Sequence, residues 1–132
     1  MTRMTNHSAE NPKDWYIDSC ASISITANKL ELIDLKLLDT PVKVKVGDSA
    51  YLHAKGKSTK VFQVAGGELR LPTYLIPGIC DNLIATYDLM TQGLEVKQSL
   101  EVGGMKIYRH GKLFIDTKLA GRLFQLMQRQ SH

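Results

Sequence analysis

Apolar and polar residues alternate with a period of two over much of the chain, in short runs separated by turn residues. The clearest case is PVKVKVGDSAYLHAKGKSTKVFQV, residues 41–64. Its first half alternates valine with lysine, which is typical of a strand with one buried and one wet face. The turn residues Gly47, Asp48 and Ser49 follow, and a second extended run leads away from them. This segment therefore predicts a β-hairpin.

Shorter strands are predicted on both sides of this hairpin. Apolar alternations occur at residues 15–17 and 23–25, and a glycine-containing turn precedes another extended run at 69–75. Pro72 lies inside that run and predicts a sheet edge or a bulge, because proline cannot donate a hydrogen bond to a neighbouring strand. Several short strands with frequent turns are typical of an all-β domain.

The segment 29–39 is compatible with two structures. Leu30, Ile33 and Leu37 fit one stripe of a helix, but an irregular connection fits equally well. Residues 94–126 return to short strands broken by glycines. The strand pattern therefore continues to the end of the domain.

One short helix is predicted over residues 86–92. Leu83, Tyr87 and Met90 fall at i, i+4 and i+7, which places them on one face and predicts that Tyr87 and Met90 are buried. Gly93 stands where a glycine commonly ends a helix. The resulting fold class is a small all-β barrel or sandwich-like domain with one short helix.

The length of 132 residues suits one domain. We expect a disordered lead-in at 1–13, a folded domain at 14–126 and a tail at 127–132. No run approaches the roughly 18 apolar residues that span a bilayer, and the polar N-terminus lacks the apolar core of a signal peptide. Cys20 and Cys80 match no disulfide framework, so a cytoplasmic, reducing location is expected.

The chain carries a net charge of +4 and a pI near 9.1. Its lysines cluster in the hairpin segment, at Lys43, Lys45, Lys55, Lys57 and Lys60. Their alternation with apolar residues favours a solvated strand face. No aromatic residue interleaves with them in the way that base stacking requires. We therefore do not expect nucleic acid as a direct ligand, although a small basic nucleic-acid-binding β-domain is kept as an alternative hypothesis.

Two motifs in combination resemble a known family. The apolar approach WYI leads into Asp18-Ser19-Cys20-Ala21, which resembles the Asp-Ser/Thr-Gly-Ala signature of aspartic proteases. Leu83-Ile84-Ala85 resembles the apolar-apolar-Gly element that precedes the single helix of retroviral-type proteases. With the later AGRLFQL at 120–126, residues 14–100 look most like the retropepsin-like proteases of copia-type (Pseudoviridae-like) LTR retrotransposons.

The resemblance implies a closed β-barrel of the acid-protease type, a homodimer, and cleavage of a gag-pol polyprotein inside the cell, including within virus-like particles. Asp18 would be the catalytic carboxylate and Ser19 would stiffen the pair across the dimer axis. Substrate would lie against Cys20 and Ala21, the flap tip of residues 47–49, and Ile84 and Ala85. The sequence has no metal-ligand spacing and no glycine-rich phosphate loop, so no metal and no cofactor are expected.

The chemistry itself requires a second carboxylate. In aspartic proteolysis one carboxylate takes a proton from the attacking water while the other, protonated, donates to the peptide carbonyl. This chain has one Asp-Ser-x-Ala motif and no room for a second lobe. A two-fold axis between the Asp18 side chains of two copies would supply the pair.

Two positions depart from the family pattern, since Cys20 and Ala85 stand where glycine is usual. Cysteine fits there only if the local backbone stays in an ordinary region of φ and ψ. The alternatives are a catalytically inactive, domesticated dimerisation module disabled by Cys20, or an Asp18 that merely caps a turn. A cysteine nucleophile lacks a matching histidine context, and we expect Cys20 to be a small buried thiol.

Overall fold

The predicted hairpin forms the longest element of the fold. A computed structural model describes residues 14–46, 50–99, 104–121 and 123–129. The expected lead-in at 1–13 and the predicted turn at 47–49 lie outside these residues. The elements, in chain order, are β1 Trp15–Asp18, β2 Ser24–Thr26, a 3₁₀ turn Lys29–Glu31, β3 Ile33–Val46, β4 Ala50–Val64, β5 Gly67–Leu75, β6 Asn82–Ala85, α1 Thr86–Met90, β7 Glu95–Ser99, β8 Gly104–Arg109, β9 Lys112–Ala120 and β10 Leu123–Leu126.

The strands form one mixed sheet in the order β3-β4-β5-β2-β6-β1-β10-β9-β8-β7. Most neighbours are antiparallel, but β1 pairs in parallel with β6, and β2 pairs in parallel with β5. The all-β class with one short helix is thus confirmed for the described residues.

The expected closed barrel is wrong for the part of the chain that the structure describes. Closure would require the edge strands β3 and β7 to pair with each other, and the strand order leaves them at opposite ends. The two halves of the sheet instead meet through single hydrogen bonds. Gly66 N donates to Phe114 O at 2.9 Å, and Arg129 N donates to Gln63 O at 2.8 Å. The sheet is therefore rolled but open.

Gly66 makes this contact possible because it has no side chain. A Cβ atom added there would lie 2.6 Å from Cδ1 of Phe114 and 2.8 Å from its Cα atom. Such distances are far below normal carbon contacts. Glycine therefore lets the turn between β4 and β5 lie directly against β9.

The interior of the roll is the larger of two apolar clusters. Trp15 of β1 and Phe62 of β4 are fully buried in it, with ring centroids 4.8 Å apart and the rings nearly perpendicular. Ile107 and Ile115 reach the same cluster from the C-terminal strands. The core therefore joins both halves of the sheet across their concave side.

The segment 33–39 is neither helix nor irregular connection, because it forms the first part of β3. Its pairing with β4 is interrupted by register shifts, and Asp34 has a φ of 52°. Because the strand is irregular here, the apolar residues of this segment do not alternate with the period of two that marks a strand in the sequence. Pairing with β4 overrides the local helical spacing.

The helix begins at Thr86, as predicted, but it ends at Met90, two residues before the predicted end. Gly93 follows with a φ of 79°, as expected for a glycine beyond a helix end. The predicted burial of Tyr87 and Met90 is wrong, since they are 66% and 58% exposed. A five-residue helix buries a single position, and Leu89 occupies it.

Pro72 occupies a local edge within β5. It lies opposite Thr59 of β4, whereas the pairing with β2 on the other side begins only at Thr73. In the described residues, no helix has the length and apolar character needed to cross a bilayer.

We predict that Phe62→Ala lowers the free energy of unfolding by about 3–5 kcal/mol, the range for removing a buried aromatic side chain. Urea unfolding followed by circular dichroism measures this change. The matched variant Leu119→Ala truncates a residue that is 47% exposed, and its loss should stay below about 1 kcal/mol. Equal losses in the two variants would contradict the packing described for Phe62.

Candidate functional site

Asp18 lies at the end of a buried strand in the middle of the sheet. β1 is flanked by β6 on one side and β10 on the other, and Asp18 is directly opposite Ala85 of β6. The side chain is 4% exposed. Burial of the apolar residues before Asp18 thus holds the strand in place and fixes the position of the carboxylate.

The turn after β1 holds this carboxylate. Cys20 N donates to Asp18 Oδ1 at 2.8 Å, and Ala21 N donates to the Asp18 carbonyl at 3.3 Å. The first bond is the side-chain-to-backbone bond by which aspartate stabilises turns. The capping role weighed for Asp18 is therefore present in the structure, and it also orients the carboxylate.

A second carboxylate fixes the helix behind this turn. Asp88 Oδ2 accepts from both Ser24 N at 3.1 Å and Ser24 Oγ at 2.6 Å. Ser24 Oγ in turn accepts from Ala85 N at 3.1 Å. Because Ala85 pairs with Asp18, this network connects α1, β2 and β6 to the strand that carries the acid.

Ser24 and Asp88 are functional-site residues that the sequence did not reveal. They are 64 positions apart and belong to no local motif. The available signal was an acidic residue in the first turn of the helix, where a negative charge is favoured. Nothing in the sequence identified the strand residue that would meet it.

The apolar element of β6 lies directly beside β1. Leu83 and Ile84 are opposite Tyr16 and Ile17, and both are fully buried. Ile84 belongs to the larger core cluster, so its side chain offers no surface to a substrate in this single chain. Ile84 therefore supports the Asp18 strand by packing.

The residues that follow Asp18 differ in exposure. Ser19 and Cys20 are exposed, and Ala21 is half-buried. The expected burial of Cys20 is wrong because the turn directs this position to the surface; Cys20 and Cys80 are both free thiols. Cys20 has no positive φ, and Ala85 has ordinary extended angles of −74° and 128°. Side chains larger than glycine are thus accommodated without backbone strain.

The hairpin of β3 and β4 covers the smaller apolar cluster near this site. Val44 and Ala54 pack there with Ile25 of β2 and Leu83 of β6. The hairpin arm therefore lies over β6, which pairs with the Asp18 strand, and over β2 on the far side of β6. Its predicted substrate-binding tip, Gly47, Asp48 and Ser49, lies outside the described residues.

The fold and site define a small all-β domain that presents a turn-held carboxylate on a central strand. A protein-family model described as "Pol polyprotein, beta-barrel domain" matches residues 15–94. This match covers more than half of the 132 residues. The chain belongs to this family, which supports an origin in a retroelement Pol polyprotein. Searches of curated proteins and of solved structures gave no match.

We predict that Ser24→Ala lowers the free energy of unfolding by about 1.5–3 kcal/mol, the range for a hydrogen bond to a charged group. The substitution leaves the buried Ala85 N–H and the Asp88 carboxylate without this partner. Ser22→Ala is the control, since Ser22 is exposed and should cost less than about 0.5 kcal/mol. If urea unfolding gives the same value for both variants, the network does not stabilise the helix position.

Proposed function

We propose that this domain is an aspartic endopeptidase that acts as a homodimer and processes the polyprotein from which it derives. The observation that carries the proposal is Asp18, 4% exposed at the end of a central strand and oriented by Cys20 N at 2.8 Å. A carboxylate is costly to bury without hydrogen bonds. A central strand and the turn that follows it hold the Asp18 carboxylate in position.

The mechanism needs two such carboxylates around one water molecule. With Asp18 of each copy at a two-fold axis, like charges in close contact would share one proton and titrate as a pair. The ionised member takes a proton from the water as the oxygen attacks the scissile carbonyl. The protonated member donates to the carbonyl oxygen, which stabilises the tetrahedral intermediate.

Neighbouring residues take supporting roles in this proposal. The exposed hydroxyl of Ser19 would hydrogen-bond across the axis and hold the two acids. An extended peptide would bind between the hairpin tip at 47–49 and the turn of Cys20 and Ala21, by hydrogen bonds between main chains. Closure of the hairpin would exclude water during the reaction. Such an enzyme acts in the cytoplasm, including within virus-like particles, and uses no metal or other cofactor.

The ordinary backbone at Cys20 favours this function over an inactive dimerisation module. The module hypothesis assumes that a side chain at the usual glycine position distorts the site. Cys20 has no positive φ, and its N–H still reaches the Asp18 carboxylate. Cys20 is also exposed, so its thiol is not packed into the core.

We predict that purified protein cleaves its own precursor or an extended peptide at mildly acidic pH, and that Asp18→Asn loses this activity. The expected fall in kcat/KM is at least about a hundredfold, since the amide cannot act as a general base. Asp39→Asn, which changes an exposed carboxylate of β3, is the matched control and should cleave normally.

Sedimentation velocity at several protein concentrations accompanies this assay. The wild type and Asp18→Asn should both form dimers, so that lost cleavage reflects lost chemistry. Retained cleavage in Asp18→Asn would overturn the aspartic mechanism. A monomer throughout the range in which the wild type cleaves would overturn the shared active site.

We predict that Cys20→Gly changes kcat/KM by less than about tenfold, equivalent to about 1.4 kcal/mol, because cysteine does not strain the turn. The added backbone freedom should lower the free energy of unfolding by about 0.5–1 kcal/mol. Cleavage and urea unfolding measure the two effects. Activity that arises only in Cys20→Gly would support the inactive module and contradict the proposed enzyme.

A further inference from the structure

The outward face of the β3–β4–β5 sheet is strongly basic. Lys43 lies opposite His53, and Lys45 lies opposite Tyr51. Residues directly opposite each other in antiparallel strands project to the same side. Alternation along the strands extends this surface, which we call the basic face, and its lysines are Lys36, Lys43, Lys45, Lys55 and Lys57.

The lysines of the basic face lack the partners that other lysines have. Lys60 binds Glu31 at 2.6 Å and Lys106 binds Asp116 at 2.9 Å. None of the five forms an ion pair with a residue that the structure describes. Lys36 and Lys57 are directly opposite each other, an arrangement of like charges that destabilises a sheet. A bound polyanion would remove that repulsion.

Two tyrosines stand among these lysines. Lys43 Nζ lies 4.4 Å from the ring centroid of Tyr51, and Lys57 Nζ lies 5.3 Å from that of Tyr74. Tyr51 is 49% exposed. Tyr51 stands between Lys45 and Lys55 in the sequence, and the pairing of β3 with β4 places it against Lys43. The expectation that no aromatic residue interleaves with these lysines is therefore wrong. A base stacked on Tyr51 would replace the ammonium group over the ring and leave Lys43 free to bind a phosphate.

A cavity of about 390 Å³ adjoins the basic face beside Lys36 and Lys57. Its lining includes Ser58, which is 9% exposed and whose Oγ has no hydrogen-bond partner among the described residues. Asp34 also lines the cavity. This volume falls within the range of ligand pockets, and the two lysines give it a positive edge.

We propose that the basic face binds single-stranded nucleic acid. Lysines would neutralise successive phosphates, while the exposed Tyr51 would stack a base, the combination used by proteins that bind single strands without sequence preference. Tyr74 is half-buried and packs against the smaller apolar cluster, so Tyr51 is the stacking residue of this face. Tyr51 and Lys57 are separated by about 20 Å along β4, at 3.3–3.4 Å per residue. This distance accommodates several nucleotides. The inward side of the same hairpin packs on the core, so the proposed ligand does not compete for the Asp18 site.

We predict that the full chain binds fluorescent oligo-U and oligo-dT of about 12 nucleotides, with micromolar affinity at low salt. Fluorescence anisotropy between about 50 and 200 mM salt gives the number of phosphate contacts, since each contributes about 0.7 to the slope of log K against log salt. Lys43→Gln/Lys45→Gln should lower that slope by about 1.4. Tyr51→Ala should weaken binding at least about fivefold through lost stacking.

Each variant has a control of matched chemistry. Lys112→Gln/Lys118→Gln removes two exposed charges from β9, and Tyr87→Ala removes an exposed tyrosine from the helix. Both should bind within about twofold of wild type, and Asp18→Asn should bind normally. Absence of binding at low salt, or equal losses in the controls, would overturn the proposal. Competition by polyglutamate or duplex DNA as strong as that by oligo-U would overturn it too, since neither offers free bases for stacking.

Discussion

The parallel pairing of β1 with β6 is the constraint on which the structure depends. It places Ile17 beside Ile84 and Asp18 beside Ala85, although these pairs are 67 positions apart. The chain between them must leave and return, and it forms the long hairpin and β5 on the way. Parallel strands need such a crossover, and their residues are typically buried on both faces. Asp18 therefore lies at a position that is fixed from several directions.

The bond between Ser24 and Asp88 complements this pairing. The pairing of β1 with β6 fixes the position of the Asp18 turn. Ser24 of β2 bonds both the Asp88 carboxylate of the helix and the Ala85 N–H of β6, and so holds β2 against β6. Polar groups in such a network are individually costly to bury and stabilise the fold only together. One chain still positions a single Asp18. If the domain hydrolyses peptides, the rigidity of this turn is what allows a second copy to bring its carboxylate to the same water.

The sequence predicted features whose cause is local. The hairpin, the glycine after the helix and a glycine break within residues 94–126 follow from period-2 alternation and backbone freedom. All three occur, the last at Gly111 between β8 and β9. Features that depend on contacts between residues far apart in the sequence could not be predicted from it. Residues 33–39 become a strand through pairing with β4, and the open edge of the sheet reflects how its halves meet at Gly66. The candidate acid was recognisable from its motif, whereas the supporting Ser24–Asp88 pair required the fold.

The alternation in β4 gives the hairpin two different surfaces. Its inward positions, including Ala54 and Phe62, form parts of the two apolar clusters, and its outward positions carry Lys55 and Lys57. A shift of register by one residue would bury the lysines and expose the apolar side chains, so core packing also fixes the basic face. The hairpin can therefore cover β2 and β6 while a charged ligand occupies its other side. Because both surfaces belong to one pair of strands, in the proposed enzyme a ligand on the basic face would lie on the hairpin that covers the bound peptide, without entering the Asp18 site.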